Sequence, residues 1–206
     1  MTFIEKLIQD FGYNEPIMVN EVEYENYDSQ AIYRELSRLC QKGLAVRFDT
    51  GIYYIPEITE VGTAYFNPTK IIEKKFIQNN DITFGYYAGR YLQLKLGISQ
   101  IQPGTIEIYT NDESRDSHKL KIGIQRILLH KPRTKITKHN AGVLSFLELM
   151  NRIDIEDLDE YKKKLLADYI DEHHITKRKI TEYIKYFPNK TCRNLIESEV
   201  IYSVKL

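Results

Sequence analysis

DSQAIYRELSRLCQKGLAVRFDTGIYYIP, residues 28–56, reads as one amphipathic helix that runs through a glycine into a short β-hairpin. Ile32, Leu36, Leu39 and Cys40 recur at helical spacing and predict one buried stripe, with Asp28 or Ser29 accepting the unpaired amide hydrogens of the first turn. Gly43 is expected to stop the helix, because glycine tolerates a left-handed backbone. Two β-prone runs follow, Leu44-Ala45-Val46-Arg47-Phe48 and Ile52-Tyr53-Tyr54-Ile55, separated by the turn tripeptide Asp49-Thr50-Gly51. Helix, glycine and hairpin in that order form the back half of a winged helix-turn-helix, so DNA is the first partner to consider.

Outside the apolar stripe lie Ser29, Gln30, Tyr33, Arg34, Ser37, Arg38 and Gln41, whose side chains hydrogen-bond base edges or phosphates on a face that suits a major groove. Arg47 stands in the first wing strand, within reach of a phosphate backbone. Upstream, Phe3, Ile4, Leu7, Ile8 and Phe11 make a first helical stripe ended by Gly12, and residues 16–22 predict a short second helix. Winged helices also serve as protein-binding and scaffolding modules, and charge keeps that alternative open. Residues 1–63 hold five Lys/Arg against eleven Asp/Glu, a net of −6, where a DNA-binding domain is usually basic. Residues 29–47 alone hold Arg34, Arg38, Lys42 and Arg47 against Glu35, a local +3. Salt screens exposed charges beyond roughly 8 to 10 Å, so the local patch outweighs the domain total. Four phosphate contacts give a salt slope of about −3.6 and a roughly 150-fold loss of affinity between 50 and 200 mM salt. A single module of this kind binds DNA weakly, which calls for a homodimer or a second basic surface.

The 206 residues suffice to bury about 70% of the unfolded chain's surface, and the N-terminal module uses barely a third of them, so a second domain is expected. No run of eighteen apolar residues and no charged-then-apolar leader is found, which predicts a cytoplasmic protein with no membrane partner. Cys40 and Cys192 are too few for a disulfide framework or a cysteine zinc site. A boundary is expected in the connector EITEVGTAYFNP, residues 57–68, after which Thr69 caps a helix through Ile71, Ile72, Lys75 and Phe76. Tyr87, Tyr91, Leu92 and Leu94 then predict a helix closed by Gly97. Gly85 and Gly89, four apart, read as points of close approach, since the P-loop lysine and fingerprint are missing. Strands are expected at Thr105-Ile106-Glu107-Ile108-Tyr109, Leu120-Lys121-Ile122-Gly123-Ile124 and Ile127-Leu128-Leu129, and an amphipathic helix over residues 143–153.

The run LSRLCQKGLAVRFDTGIYYIP with FGYYAGRYLQLKLGISQIQPGTIEIYTN resembles the AbiEi-type antitoxin family of type IV toxin-antitoxin and abortive-infection systems. The likeness covers residues 1–153, with its most specific features at Gly51-Ile52-Tyr53 and from Gly85 through Leu96, Gly97 and Gln100. It implies repression of the chain's own operon through the winged helix, and neutralisation of a nucleotidyltransferase-like toxin through the later region, with direct toxin contact left open. Carried over by position, Ser29, Gln30, Tyr33, Arg34 and Ser37 would face bases, while Arg38, Lys42 and Arg47 would take phosphates. The expected class is α+β: a winged helix-turn-helix over residues 1–63, a mixed α/β antitoxin-like domain over 64–153, and a helical C-terminal segment over 154–206 packing on it.

Residues 70–150 carry thirteen Lys/Arg against seven Asp/Glu, a net of +6 that includes Lys119, Lys121, Arg126, Lys131, Arg133, Lys135 and Lys138. These form either a second DNA surface, a surface for an acidic partner, or solvated strand faces. Farther on, Ile155, Leu158, Tyr161, Leu165, Leu166, Tyr169 and Ile170 predict one long helix with acidic first turns, where the helix dipole favours anions. Thr176 caps a helix over residues 177–186, ended by Phe187-Pro188, and residues 189–202 supply another. The histidines His118, His130, His139, His173 and His174 lack metal-ligand spacing, and no nucleophile elbow or zinc-protease helix occurs. No catalytic residue, metal or cofactor is expected. The alternatives are a winged-helix interaction module and a stand-alone regulator without a toxin.

Overall fold

In a computed structural model, which describes residues 1–204, the chain divides into two compact units, Met1–Lys74 and Lys75–Leu206. The division falls inside a helix, between residues 74 and 75, and the second unit takes in residues on both sides of 153/154. The class is α+β.

The first unit opens with α1 (Phe3–Phe11), started by a capping box in which Glu5 N–H donates to Thr2 Oγ1 and Thr2 N–H donates to Glu5 Oε2. Strand β1 (Ile17–Met18) and a single 3-10 turn (Val19–Glu21) follow, so the second helix expected over residues 16–22 is absent. Ile17, Met18 and Val19 are all buried in succession, a pattern that suits a short interior strand and not one helix face. Next comes α2 (Ser29–Gln41), whose cap is Asp28: its Oδ1 accepts from Ala31 N–H at 2.7 Å. Gly43 takes φ +70 beyond the helix end, as its place in the sequence predicts. Strands β2 (Val46–Asp49) and β3 (Ile52–Tyr54) form the hairpin, and the sheet order is β1-β3-β2, all antiparallel. Leu7, Ile17, Ile32, Leu36, Leu39, Tyr53 and Ile55 make the core. Cys40, expected in the buried stripe, is only half-buried at its edge.

The connector forms a small hairpin of its own, β4 (Ile58–Thr59) with β5 (Gly62–Thr63). Helix α3 (Thr69–Phe76) returns Lys70 to Glu15 and Lys74 to Glu21, ion pairs that tie the end of the unit to the segment between α1 and α2.

In the second unit, the hairpin of β6 (Gln78–Asn79) and β7 (Ile82–Thr83) leads to β8 (Gly85–Ala88) and directly into α4 (Gly89–Lys95). Tyr87 thus lies in a strand, and the helix expected to include it begins only at Gly89. Residues 85–88 are all buried, so helical and strand periodicity cannot be told apart there. Strands β9 (Ile106–Thr110), β10 (His118–Ile122) and β11 (Gln125–His130) complete a sheet ordered β10-β11-β9-β8, in which β9 and β11 run parallel. Helix α5 (Ala141–Arg152) is buried at every position from 143 to 150 and packs on β8. Around it close α6 (Glu160–Glu172), α7 (Lys177–Tyr183) and α8 (Asn189–Glu197), with Asn194 Nδ2 donating to Met150 O at 2.8 Å. The long helix expected from Ile155 starts later, at Glu160, where Asp159 Oδ1 accepts from Lys162 N–H. Asp154, Glu156 and Asp157 lie in the turn before it, so they are not helix-dipole partners. The helices expected over 177–186 and 189–202 each end early and finish in a 3-10 turn, Ile184–Tyr186 and Val200–Ser203.

Both singled-out glycines have a steric reason. A Cβ at Gly85 would overlap the Phe76 carbonyl, and one at Gly89, which sits at φ +61, would overlap the Glu107 carboxylate.

Candidate functional site

Two sets of charged side chains stand out, one on the surface of the first unit and one inside the second. On α2, the stripe Ile32, Leu36 and Leu39 faces the core, so Ser29, Gln30, Tyr33, Arg34, Ser37, Arg38 and Gln41 are all turned out and exposed. Lys42 and Arg47 are exposed as well, which brings every residue predicted for nucleic-acid contact to the outside of the α2 and β2–β3 region. Their commitments are slight. Arg34 Nε donates to the Gln30 carbonyl at 3.4 Å, Arg47 Nε to the Asp49 carbonyl at 3.4 Å, and Arg38 Nη1 pairs with Glu35 at 2.9 Å while remaining 70% exposed. Exposed pairs of this kind contribute about 0.2 to 1 kcal/mol and exchange readily for another anion. Tyr33 leans toward the hairpin turn, close enough that its hydroxyl would meet a Cβ placed on Gly51. Behind this face the half-buried Cys40 thiol has its pKa raised, chiefly by burial.

The second set was not legible in the sequence. Glu148, fully buried on α5, takes Arg133 Nε at 2.5 Å on one oxygen and has Arg152 Nε at 3.7 Å from the other. Arg152 continues to Glu107 Oε2 at 2.5 Å and the Tyr109 hydroxyl at 3.1 Å, and Glu107 meets His130 Nε2 at 3.3 Å. Burial disfavours the Arg152 charge, but the hydrogen bond to Glu107 and the contact with Tyr109 raise its pKa overall. Glu107 is held down at about 2 by His130 and Arg152. Tyr86 and Tyr109 stack at 5.3 Å beside the network, and Tyr109 and His130 at 4.8 Å. Burial pushes the Tyr86 phenol up, and its hydroxyl has no hydrogen-bond partner among the described residues. From the sequence, Arg133 reads as part of a basic surface and His130 as one of the dispersed histidines, and neither as a member of a network. Arg133 is exposed like the rest of that basic set, but its guanidinium is committed to Glu148 and lies over the Phe187 ring at 4.9 Å. Lys119, Lys121, Arg126, Lys131, Lys135 and Lys138 are exposed.

A cleft of about 520 Å³ opens next to the network, lined by Gly89, Arg90, Ser99, Glu107, Arg152 and Asp157 among others. Its Arg152 and Glu107 are bonded to each other, and Lys162 Nζ donates to the Asp157 carbonyl at 2.7 Å. Among the described residues no group of three or more His, Cys, Asp or Glu is arranged to hold a metal ion, and no helix is long and apolar enough to cross a membrane. His173 and His174 are both exposed, with His173 stacked on Tyr169 at 4.2 Å and its pKa lowered by burial.

An α+β chain of this build belongs to the DUF6088 family, described as a family of unknown function, whose model matches residues 4–177. The match runs from α1 into α7 and so takes in both units. Comparisons with curated proteins and with solved structures returned no match.

Proposed function

We propose that residues 1–63 are a winged helix-turn-helix and that the protein binds operator DNA with it, repressing its own operon as the antitoxin of a type IV toxin-antitoxin pair. The observation that carries this reading is α2 together with its hairpin: a fully exposed polar helix face, four cations, and a sheet ordered β1-β3-β2 that places the hairpin beside the helix end. Ser29, Gln30, Arg34 and Ser37 read base edges in the major groove, and Arg38, Lys42 and Arg47 hold phosphates. Tyr33 faces the bases with the first four, its hydroxyl lying near the wing turn at Gly51. Two copies on a two-fold operator double the phosphate contacts of one module.

Neutralisation of a nucleotidyltransferase-like toxin rests on the resemblance through Gly51-Ile52-Tyr53 and residues 85–100. Several glycines of those motifs sit where a side chain would clash or strain the backbone, so the motifs speak first for a shared fold. The deciding experiment is a gel shift of the chain's own promoter. Wild-type protein is expected to retard it, and the Arg34→Ala, Arg38→Ala variant to lose the shift. Unchanged binding by that variant overturns the placement of the recognition face. A second reading, a winged unit that binds protein, is favoured by the net −6 of residues 1–63. A stoichiometric protein partner with no DNA retained at low salt selects it.

A further inference from the structure

The ribbon of β10 and β11 carries positive charge that no ion pair among the described residues compensates. Lys119 and Lys121 alternate along β10 and share one face, and Arg126 on β11 stands directly opposite Lys121. Like charges directly opposite each other on a ribbon are destabilising. All three side chains are exposed, and among the described residues none of them has a hydrogen bond or an ion pair. On the same face, Glu107 lies in register with Leu128 one strand further in, but its carboxylate is taken up by Arg152 and His130. Strand β10 is the edge of the sheet, so the face is open from that side.

Charge of this kind fits a polyanion, and its composition narrows the type. Cores of protein–protein interfaces are depleted in lysine and enriched in Tyr, Trp and Phe, whereas nucleic-acid interfaces are polar and strongly positive. The exposed residues of this face are cations with no Tyr, Trp or Phe among them, which also leaves unstacked bases no platform. We propose that β10–β11 is a second contact surface, one that grips the phosphate backbone of duplex DNA without regard to sequence. It rests on the reading of the protein as DNA-binding, and it supplies the phosphate contacts that one winged module lacks.

The experiment is the salt dependence of full-length protein binding to a random-sequence DNA duplex, read by fluorescence anisotropy. Replacing Lys119, Lys121 and Arg126 by Ala is expected to make the log–log salt slope shallower by about 2.7, so wild type loses about 40-fold more affinity than the variant between 50 and 200 mM salt. The charge-keeping variant Lys119→Arg, Lys121→Arg, Arg126→Lys is expected to retain the wild-type slope, which separates charge from folding. An unchanged slope in the alanine variant overturns the proposal, as does an equal loss in the charge-keeping one. Tighter binding of an RNA duplex of equal length overturns the assignment to DNA. The two readings fail separately. If the ribbon variant loses slope while Arg34→Ala, Arg38→Ala keeps its operator preference, the recognition helix is misplaced and the ribbon stands. If the helix variant loses operator preference and the ribbon variant keeps its full slope, the ribbon alone falls.

Discussion

The α2 face of the first unit and the interior of the second use the same residue types, arginine and glutamate, to opposite ends. Arg38 pairs with Glu35 in the open at 70% exposure, whereas Glu148 is sealed between Arg133 and Arg152 with no exposure at all. A surface pair is held loosely enough to be given up for a phosphate. A buried one, once formed, cannot lose a member without stranding the other charge away from water. The difference separates charges left open to solvent from charges committed to the fold, and measurements of stability expose it directly.

The largest effect is expected at the buried pole. Glu148→Ala leaves two arginines facing an emptied site and should destabilise the protein by about 3 to 5 kcal/mol in denaturant unfolding. A loss below about 1 kcal/mol would show that the network is open to solvent after all and erase the contrast. The pH dependence comes next. Glu107 has its pKa lowered from 4.5 to about 2, so its contribution to stability is complete above about pH 4.5 and is lost as the pH falls toward 2. Discounted for a side chain that is 23% exposed, the loss is on the order of 2 kcal/mol, and it should vanish in a Glu107→Gln variant. Identical acid unfolding curves for wild type and Glu107→Gln would remove Glu107 from the network's energetics. The smallest effect is expected on the surface. Arg34→Ala with Arg38→Ala should shift the unfolding free energy by no more than about 0.5 kcal/mol, even as the same variant loses the promoter shift. A cost above about 1 kcal/mol would mark that face as structural and weaken the case for a ligand on it.

Local signals in the chain predicted most of the helices. The Ile32, Leu36, Leu39 stripe, the Asp28 cap and the Gly43 stop all fall on α2 and its end, because each depends only on neighbours within a few residues. Where burial is continuous, that logic fails. At residues 16–19 and 85–88 every position is buried, the periodicity vanishes, and a strand replaces the predicted helix. The late start of α6 has the same kind of cause: Leu158 is buried from within a turn, and its spacing counterfeits a helical stripe.

The surface candidates were readable for a related reason. A polar side chain left over from an apolar stripe must point outward, so Ser29 through Arg38 could be assigned to the exposed face of α2 from spacing alone. The network of Glu107, Arg133, Glu148 and Arg152 could not, since its ion pairs join positions as far apart as 45 residues. Nothing in the sequence marks Glu148 as buried or Arg133 as already spoken for. Sequence order also conceals that β9 and β11 lie side by side in parallel, the arrangement that sets Glu107 next to His130. Helix caps, stripes and turn glycines are decided by short-range sterics and hydrogen bonding, which the order of residues carries intact. Which charges meet in the interior, and which are left unpaired on the β10–β11 ribbon, depends on how strands and helices from distant parts of the chain share the exclusion of water.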